Sequence, residues 1–383
     1  MYQGERAWDT RTAGAAQAPM ELARERTRRP RRSLLAKLAL SLCVLAALAL
    51  ALEGAVRVRQ WKRFGTIGRV HAFVTDPASG LLIPEPGRRT ASIAIDSLGF
   101  RSPELERPKP SGRLRLAFLG GSTTFCAEAS SNESTWPHQV WRRLSQDLPA
   151  GRLDYLNAAV GGYTLEQIDA TLRQRVAPLE PDVIFLYEAT NDLTRDSREL
   201  AQAQGVYRGH ADEDSWISRR SLAWYLLEKN YLMRSRQAHA LSGEGRLRFE
   251  PRELASGFRR RLEVLVREAQ ARARLVVLVT FSARVRREQT PEQRLEACQT
   301  SLFYMPYMTP DGLLAAFEEY NRAIREVAAA TGALLIEAAD AIPGDSFHFN
   351  DSVHLKDAGC RALAERVVEA LQRAPAFRAL VAQ

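Results

Sequence analysis

From Leu114 onward, short and largely apolar runs alternate with longer stretches whose apolar residues recur every three or four positions. The runs at 114–119, 153–157, 183–187, 275–280 and 333–337 predict strands covered on both faces. The stretches at 136–148, 165–176, 252–273 and 313–330, with a last one at 357–373, predict helices that each bury one stripe. Strands and helices in alternation give a parallel sheet with right-handed crossovers, that is, a three-layer α/β/α sandwich with five strands. In such sheets reactive groups gather beyond the carboxyl ends of the strands. Ser122, Gly162 and Asn191 follow the first three predicted strands, and a His-bearing loop follows the last.

Two insertions break the alternation, at 193–250 and 283–310, within a domain that spans 112–383. They carry Trp216, Trp224, Tyr225 and Tyr231, and Phe303, Tyr304 and Tyr307. At the functional edge of a sheet, such segments either shape a substrate cleft or serve as lid and packing elements. Upstream, residues 53–111 read as a connecting region, with Pro84, Pro86, Pro103, Pro108 and Pro110 marking extended or turning backbone.

Residues 34–52 are apolar apart from Lys37. They are long enough to cross a bilayer if Lys37 snorkels to the headgroups. Residues 1–33 read as a flexible basic tail, in which Arg24, Arg26, Arg28, Arg29, Arg31 and Arg32 precede the apolar stretch; Arg57, Arg59, Lys62 and Arg63 follow it. The richer N-terminal flank puts the tail in the cytoplasm and the bulk of the chain outside. Ala49-Leu50-Ala51 supports the alternative of a cleaved signal and a secreted domain, although the stretch is longer than a usual signal core.

Charge changes the reading of a chain whose pI is near 9.6. Residues 1–63 hold 13 of the 54 basic and 5 of the 45 acidic side chains, leaving 41 and 40 in residues 64–383. The basic excess therefore brackets the apolar stretch and does not mark a folded nucleic-acid reader. Cys43 lies in the apolar stretch, and Cys126, Cys298 and Cys360 are too few and too scattered for a disulfide framework. No cysteine spacing suits a zinc site.

The candidate chemistry lies in Gly120-Gly121-Ser122 and Asp351-Ser352-Val353-His354. Glycines let the backbone turn sharply, so a serine there presents its hydroxyl and its own N–H. An Asp three residues before a His can hold one ring nitrogen, leaving the other free to take a proton from Ser122. Taken singly, each motif is more often a plain turn or a helix cap. His348, flanked by Phe347 and Phe349, reads as a packing residue and not a ligand, and His138 as ordinary surface.

Two more segments complete a series: Asn157-Ala158-Ala159-Val160-Gly161-Gly162 and Ala189-Thr190-Asn191-Asp192. In order, with Ser122 and Asp351-x-x-His354, these resemble the four blocks of the SGNH/GDSL hydrolase family over roughly residues 112–372. The stretch Asp96-Ser97-Leu98-Gly99-Phe100-Arg101 is similar to the lead-in of its membrane-anchored bacterial members. The resemblance implies a flavodoxin-like SGNH fold, Ser122 as nucleophile, His354 as general base and Asp351 as its orienting partner. It also implies an oxyanion hole of the Ser122 and Gly162 N–H groups with the Asn191 amide, and no metal or other cofactor. Asp192 is then a structural residue. Two departures stand out: Gly121 replaces the aspartate before the nucleophile, and Ala189 replaces a glycine. The added methyl of Ala189 is expected to narrow the pocket or shift Asn191.

The expectation is a serine esterase that cleaves acyl esters, acetyl among them, of carbohydrate or lipid. It would work outside the inner membrane, held there through residues 34–52, with no nucleic-acid partner. The alternatives are an O-acyltransferase acting on an envelope or exported polysaccharide and a non-catalytic envelope scaffold.

Overall fold

The structure, a computed structural model, describes residues 30–64, 67, 73–207, 215–242 and 246–383; the expected tail lies outside these up to residue 29. The chain divides into two compact units, Met1–Ala55 and Val56–Gln383. Helix α1 (Pro30–Phe64) starts in the first and ends in the second. Its stretch Leu34–Lys62 is long and apolar enough to cross a membrane and none of it is buried, a character that a signal sequence shares.

The second unit opens with an antiparallel hairpin of β1 (Phe73–Thr75) and β2 (Leu82–Pro84). The main sheet follows, from β3 (Leu114–Gly120), β4 (Leu153–Asn157), β5 (Val183–Tyr187), β6 (Leu275–Val279) and β7 (Leu334–Ile336). All neighbours are parallel and the spatial order is β4-β3-β5-β6-β7. The chain leaves β3 for one side of the sheet and returns through β4 to the other, so the strand order reverses beside β3. In open α/β sheets, ligands bind at that switch point.

The helices are α2 (Ser122–Phe125), α3 (Trp136–Gln146), α4 (Leu165–Thr171), α5 (Thr190–Ala203), α6 (Leu222–Ser242) and α7 (Pro251–Gln270). After β6 come α8 (Pro291–Ala297), α9 (Gln299–Tyr304), α10 (Pro310–Thr331), α11 (Asp357–Arg373) and α12 (Pro375–Val381). Helices α3 and α11 pack together on one face, and α4, α5, α7 and α10 on the other. Proline at the first helical position starts α7 and α10 slightly ahead of their apolar period. The stretch expected as one helix at 165–176 is α4 followed by a single wider turn, Leu172–Val176, with i→i+5 geometry.

The core is centred on β3, where Phe118 stacks on Phe185 of β5 at 4.5 Å and meets Trp136 of α3 edge-on at 5.0 Å. One charge is buried there: Arg115 donates to Asp154 of β4 at 2.8 and 2.9 Å and to the Leu179 carbonyl at 2.9 Å, which satisfies it.

The region before β3 packs closely on the sheet. Asp96 accepts the N–H groups of Leu98 and Phe100 at 2.9 and 2.7 Å, closing a tight turn with Gly99 at φ +82°. The Arg101 N–H then bonds the Asn157 carbonyl at the end of β4, at 3.1 Å. In the insertions, α6 packs on α9. Tyr307 is buried, with its ring 5.3 Å from Tyr207 and its hydroxyl 3.2 Å from Ser197. The second insertion is thus in large part a packing element.

Candidate active site

Ser122 opens α2, a single turn set directly on the end of β3. So short a helix leaves its carbonyls without helical partners. Side chains from distant segments take them: Trp136 Nε1 on Thr123 at 3.3 Å, Asn157 Nδ2 on Thr124 at 2.9 Å, and Arg101 Nη1 on Phe125 and Cys126 at 2.9 and 2.6 Å. The Thr124 hydroxyl ties the turn to the Tyr187 carbonyl at 3.0 Å. The lead-in loop is thereby a clamp on the turn that carries Ser122.

The last block forms its own closed loop. Asp351 Oδ1 accepts the N–H groups of Val353 and His354, each at 2.9 Å, and Oδ2 takes His354 Nδ1 at 2.7 Å. The Asn350 N–H returns to the His354 carbonyl at 2.8 Å. The Ser352 hydroxyl accepts the Thr300 and Ser301 N–H groups of α9 at 3.0 and 3.1 Å, bracing the loop from the second insertion.

His354 Nε2 lies 2.7 Å from Ser122 Oγ. Ser122, Asp351 and His354, 232 positions apart at the extremes (122 to 354), therefore form one hydrogen-bonded chain. With the carboxylate on Nδ1, that nitrogen carries the proton and Nε2 accepts from the hydroxyl. Burial pulls the imidazole down, but the hydrogen bond and charge of Asp351 outweigh it and hold His354 above the ordinary value of 6.5. Burial pushes Asp351 up, yet the His354 contacts and the two backbone N–H groups leave it below 3.8.

Asn191 stands on the first turn of α5, and its Nδ2 donates to the Tyr163 carbonyl at 2.9 Å, leaving the second amide hydrogen uncommitted in that bond. A Cβ on Gly121 would run into this Nδ2, which places the amide against the residue preceding Ser122. Gly162 sits at φ +84°, a left-handed backbone that favours glycine, and a Cβ on the adjacent Gly161 would come 3.8 Å from Ser122 Cβ. Ser122, Gly161 and Asn191 thus come from the ends of β3, β4 and β5 to one place, with Gly162 next to Gly161 in the chain. Ser122, Asp351, His354 and Asn191 are half-buried and Gly162 is exposed, so the site opens to solvent.

Glu188 is a residue the motif reading passed over. It is buried beside Gly121, its Oε1 accepts the Asn191 N–H at 2.8 Å, and a side chain on Gly121 would overlap its Oε2. Burial, aided by the charge of Asp192 and opposed by the N–H of Asn191, pushes its carboxyl up to about 8. The available signal was a glycine where the family has an aspartate.

The Ala189 methyl is fully buried in the main core, so it does not narrow the site. Asp192 is structural, accepting the Leu165 N–H at 2.9 Å and pairing with Arg261 at 3.0 Å. His348 pairs with Asp345 at 2.8 Å. His138 is not ordinary surface; it is half-buried against Trp141 and 3.2 Å from the Tyr155 hydroxyl, and burial lowers its pKa. The described cysteines are free thiols, and those of Cys126 and Cys360 are hydrogen-bonded neighbours. Among the described residues, no group of three or more His, Cys, Asp or Glu could hold a metal ion.

Residues 118–362 match the profile of the GDSL-like lipase/acylhydrolase family. No curated protein matches the chain in sequence. Among solved structures, it is similar to an acetylxylan esterase from Geobacillus stearothermophilus, with 17% identity and a TM-score of 0.41 over 67% of this chain and 93% of that one. An alpha/beta hydrolase enzyme from the metagenome of Lake Arreo, Spain, is similar with 17% identity and a TM-score of 0.41, over 67% of this chain and 94% of that one.

Proposed function

The chain belongs to the GDSL-like lipase/acylhydrolase family, and on that premise we propose that it is an extracytoplasmic, membrane-tethered serine esterase that cleaves acyl esters of carbohydrate or lipid through an acyl-enzyme on Ser122. The observation that carries this reading is the pair of 2.7 Å contacts that run from Ser122 through His354 to Asp351. Ser122 Oγ attacks the ester carbonyl carbon while His354 Nε2 takes the hydroxyl proton. The oxyanion is met by the N–H groups of Ser122 and Gly162 and by Asn191 Nδ2. Collapse expels the alcohol, which leaves with the proton from His354. A water then gives its proton to His354 and attacks the acyl carbon, and Ser122 recovers its proton as the acid departs.

The open site suits an ester carried on a large alcohol. The apolar stretch of α1, with six arginines before it, supports a domain held outside the inner membrane. The test is hydrolysis by the full chain and by Ser122→Ala of an aryl acetate, acetylated sugars and acyl lipids. Loss of turnover in the variant on every accepted ester is expected; full rate would overturn the nucleophile. A periplasm-specific reporter fused after residue 64 tests the topology, and an inactive fusion would overturn it.

A further inference from the structure

We propose that Phe73 walls the acyl side of the site and confines the enzyme to esters of short acyl groups, acetyl foremost. This deepens the esterase reading above and rests on it. Phe73 opens the hairpin of β1 and β2, ahead of the residues 118–362 that match the family profile. Its side chain is half-buried and packs against the main core. The hairpin belongs to the same compact unit as the sheet.

Gly161 shows where the ring lies. A methyl built on Gly161 would stand 3.7 Å from Phe73 Cζ and 3.8 Å from Ser122 Cβ, both ordinary van der Waals contacts. Beyond its chain neighbours it would meet nothing else within 4 Å. The tip of the ring and the Cβ of Ser122 therefore border one methyl-sized space, which glycine leaves open. The hairpin is held in that position. The Tyr163 hydroxyl donates to the Leu82 carbonyl of β2, while the Tyr163 carbonyl accepts Asn191 Nδ2 at 2.9 Å, so one residue ties the hairpin to the proposed oxyanion hole. In the hairpin turn, Asp76 accepts the Ser79 hydroxyl at 2.5 Å, and Arg175 lies 3.6 Å from the same carboxylate. The lead-in loop abuts β2, since a Cβ on Gly99 would come 2.9 Å from the Pro84 carbonyl oxygen.

The chemistry assigns the ring to the acyl group and not to the alcohol. The departing alcohol takes its proton from His354 Nε2, so its oxygen lies on the His354 side of the reacting carbon. His354 precedes α11, which packs on one face of the sheet. Gly161 precedes α4 and Asn191 stands at the start of α5, both on the other face. With the oxyanion turned to the proposed donors and the alcohol to His354, the acyl substituent is left the space beside Gly161, where Phe73 stands. A methyl fits there. Each further methylene runs towards the ring, and an apolar pocket discriminates by about 10–200-fold per methylene.

The experiment measures kcat/KM of the full chain on p-nitrophenyl acetate, butyrate and hexanoate. Wild type is expected to favour acetate over hexanoate by about 10-fold or more. Phe73→Ala should raise the hexanoate-to-acetate ratio by about 10-fold, and Gly161→Ala, which fills the same space with its methyl, should lower it. Val74→Ala, at the exposed neighbour on the same strand, should leave the ratio at the wild-type value. Circular dichroism reports folding. Phe73→Leu keeps an apolar anchor with a shorter side chain and replaces Phe73→Ala if that variant does not fold; it should raise the ratio by about threefold. An unmoved ratio overturns the inference, including the case in which all three rates fall by one factor because Phe73 serves packing alone. A wild type that prefers hexanoate overturns it too. So does a variant that shifts preference between an aryl acetate and an acetylated sugar more than between acyl chains, since the ring would then face the alcohol. Failure of the esterase reading is seen separately: wild type turns over no ester, or Ser122→Ala does so at full rate, and this inference falls with it.

Discussion

The Glu188 carboxyl occupies the space that a side chain on Gly121 would need. From there it holds the Asn191 N–H at 2.8 Å, so Gly121, the residue before Ser122, and Asn191 are positioned against one buried acid. An aspartate at position 121 has no room in this arrangement.

Gly121→Ala should therefore damage turnover more than folding. Its methyl would press on both Glu188 Oε2 and Asn191 Nδ2, displacing a donor of the proposed oxyanion hole. The expected loss in kcat is about 10²–10³, the cost of one such donor, with KM little changed. Steady-state kinetics on an aryl acetate, beside a circular dichroism spectrum matching wild type, checks this. Unchanged kcat would separate Asn191 from catalysis.

The proposed base His354 and its partner Asp351 should set the acid limb of activity. The general base must be neutral, and Asp351 holds the His354 pKa above 6.5, so kcat/KM should rise with pH through an ionisation above that value. In Asp351→Asn the burial that lowers it is opposed only by the charge of Glu128, so the limb should move downward while kcat falls by about 10⁴. Stability carries the same sign logic. The His354 contribution is full below 6.5 and fades as pH rises through its folded value, and the Asp351 contribution is present above 3.8 and fades as pH falls. A pH-rate profile of both proteins decides the matter.

The sheet was readable in the sequence because its strands are buried on both faces and so are written as short apolar runs; β4 and β5 begin and end as expected. Asp351-x-x-His354 was readable because three residues suffice for one loop to close on itself. Long-range relations were not. Nothing local to Glu188 says that it fills the space beside a glycine 67 positions earlier (121 to 188), and nothing in the lead-in motif shows where the Arg101 guanidinium ends. The outcome for Ala189 has the same cause: a sequence gives a methyl but not the direction in which it points.

Arg101 supplies the next test. Its guanidinium donates to the carbonyls of Phe125, Cys126 and Ser92 at 2.9, 2.6 and 2.8 Å and to Asn132 Oδ1 at 2.9 Å. Arg101→Ala would strand two buried acceptors, the Phe125 and Cys126 carbonyls, and should cost about 2–6 kcal/mol at about 1–3 kcal/mol for each. Arg101→Lys keeps the charge but lacks the planar fork, so it should recover less than half of the loss. Urea unfolding midpoints give the comparison. A loss under about 1 kcal/mol would show that water replaces the clamp freely.

Glu188 makes the last prediction, in which stability and catalysis share one ionisation. Its carboxyl lies near 8 when folded, against an ordinary value of 4.5. Between those values the folded chain keeps a proton that the unfolded chain releases, so this group's contribution makes stability fall as pH rises from 4.5 towards 8. Glu188→Gln keeps the shape and an acceptor for the Asn191 N–H without the ionisation, so its melting temperature should lose that slope. The chemistry follows the same proton. A neutral acid beside Asn191 leaves the developing oxyanion unopposed, whereas a carboxylate there repels it. The wild type should thus lose kcat above about pH 8, and Glu188→Gln should hold it. Parallel melting curves with the same alkaline limb in both proteins would mean that Glu188 is already ionised at neutral pH, and that its burial is compensated by groups other than those around Gly121.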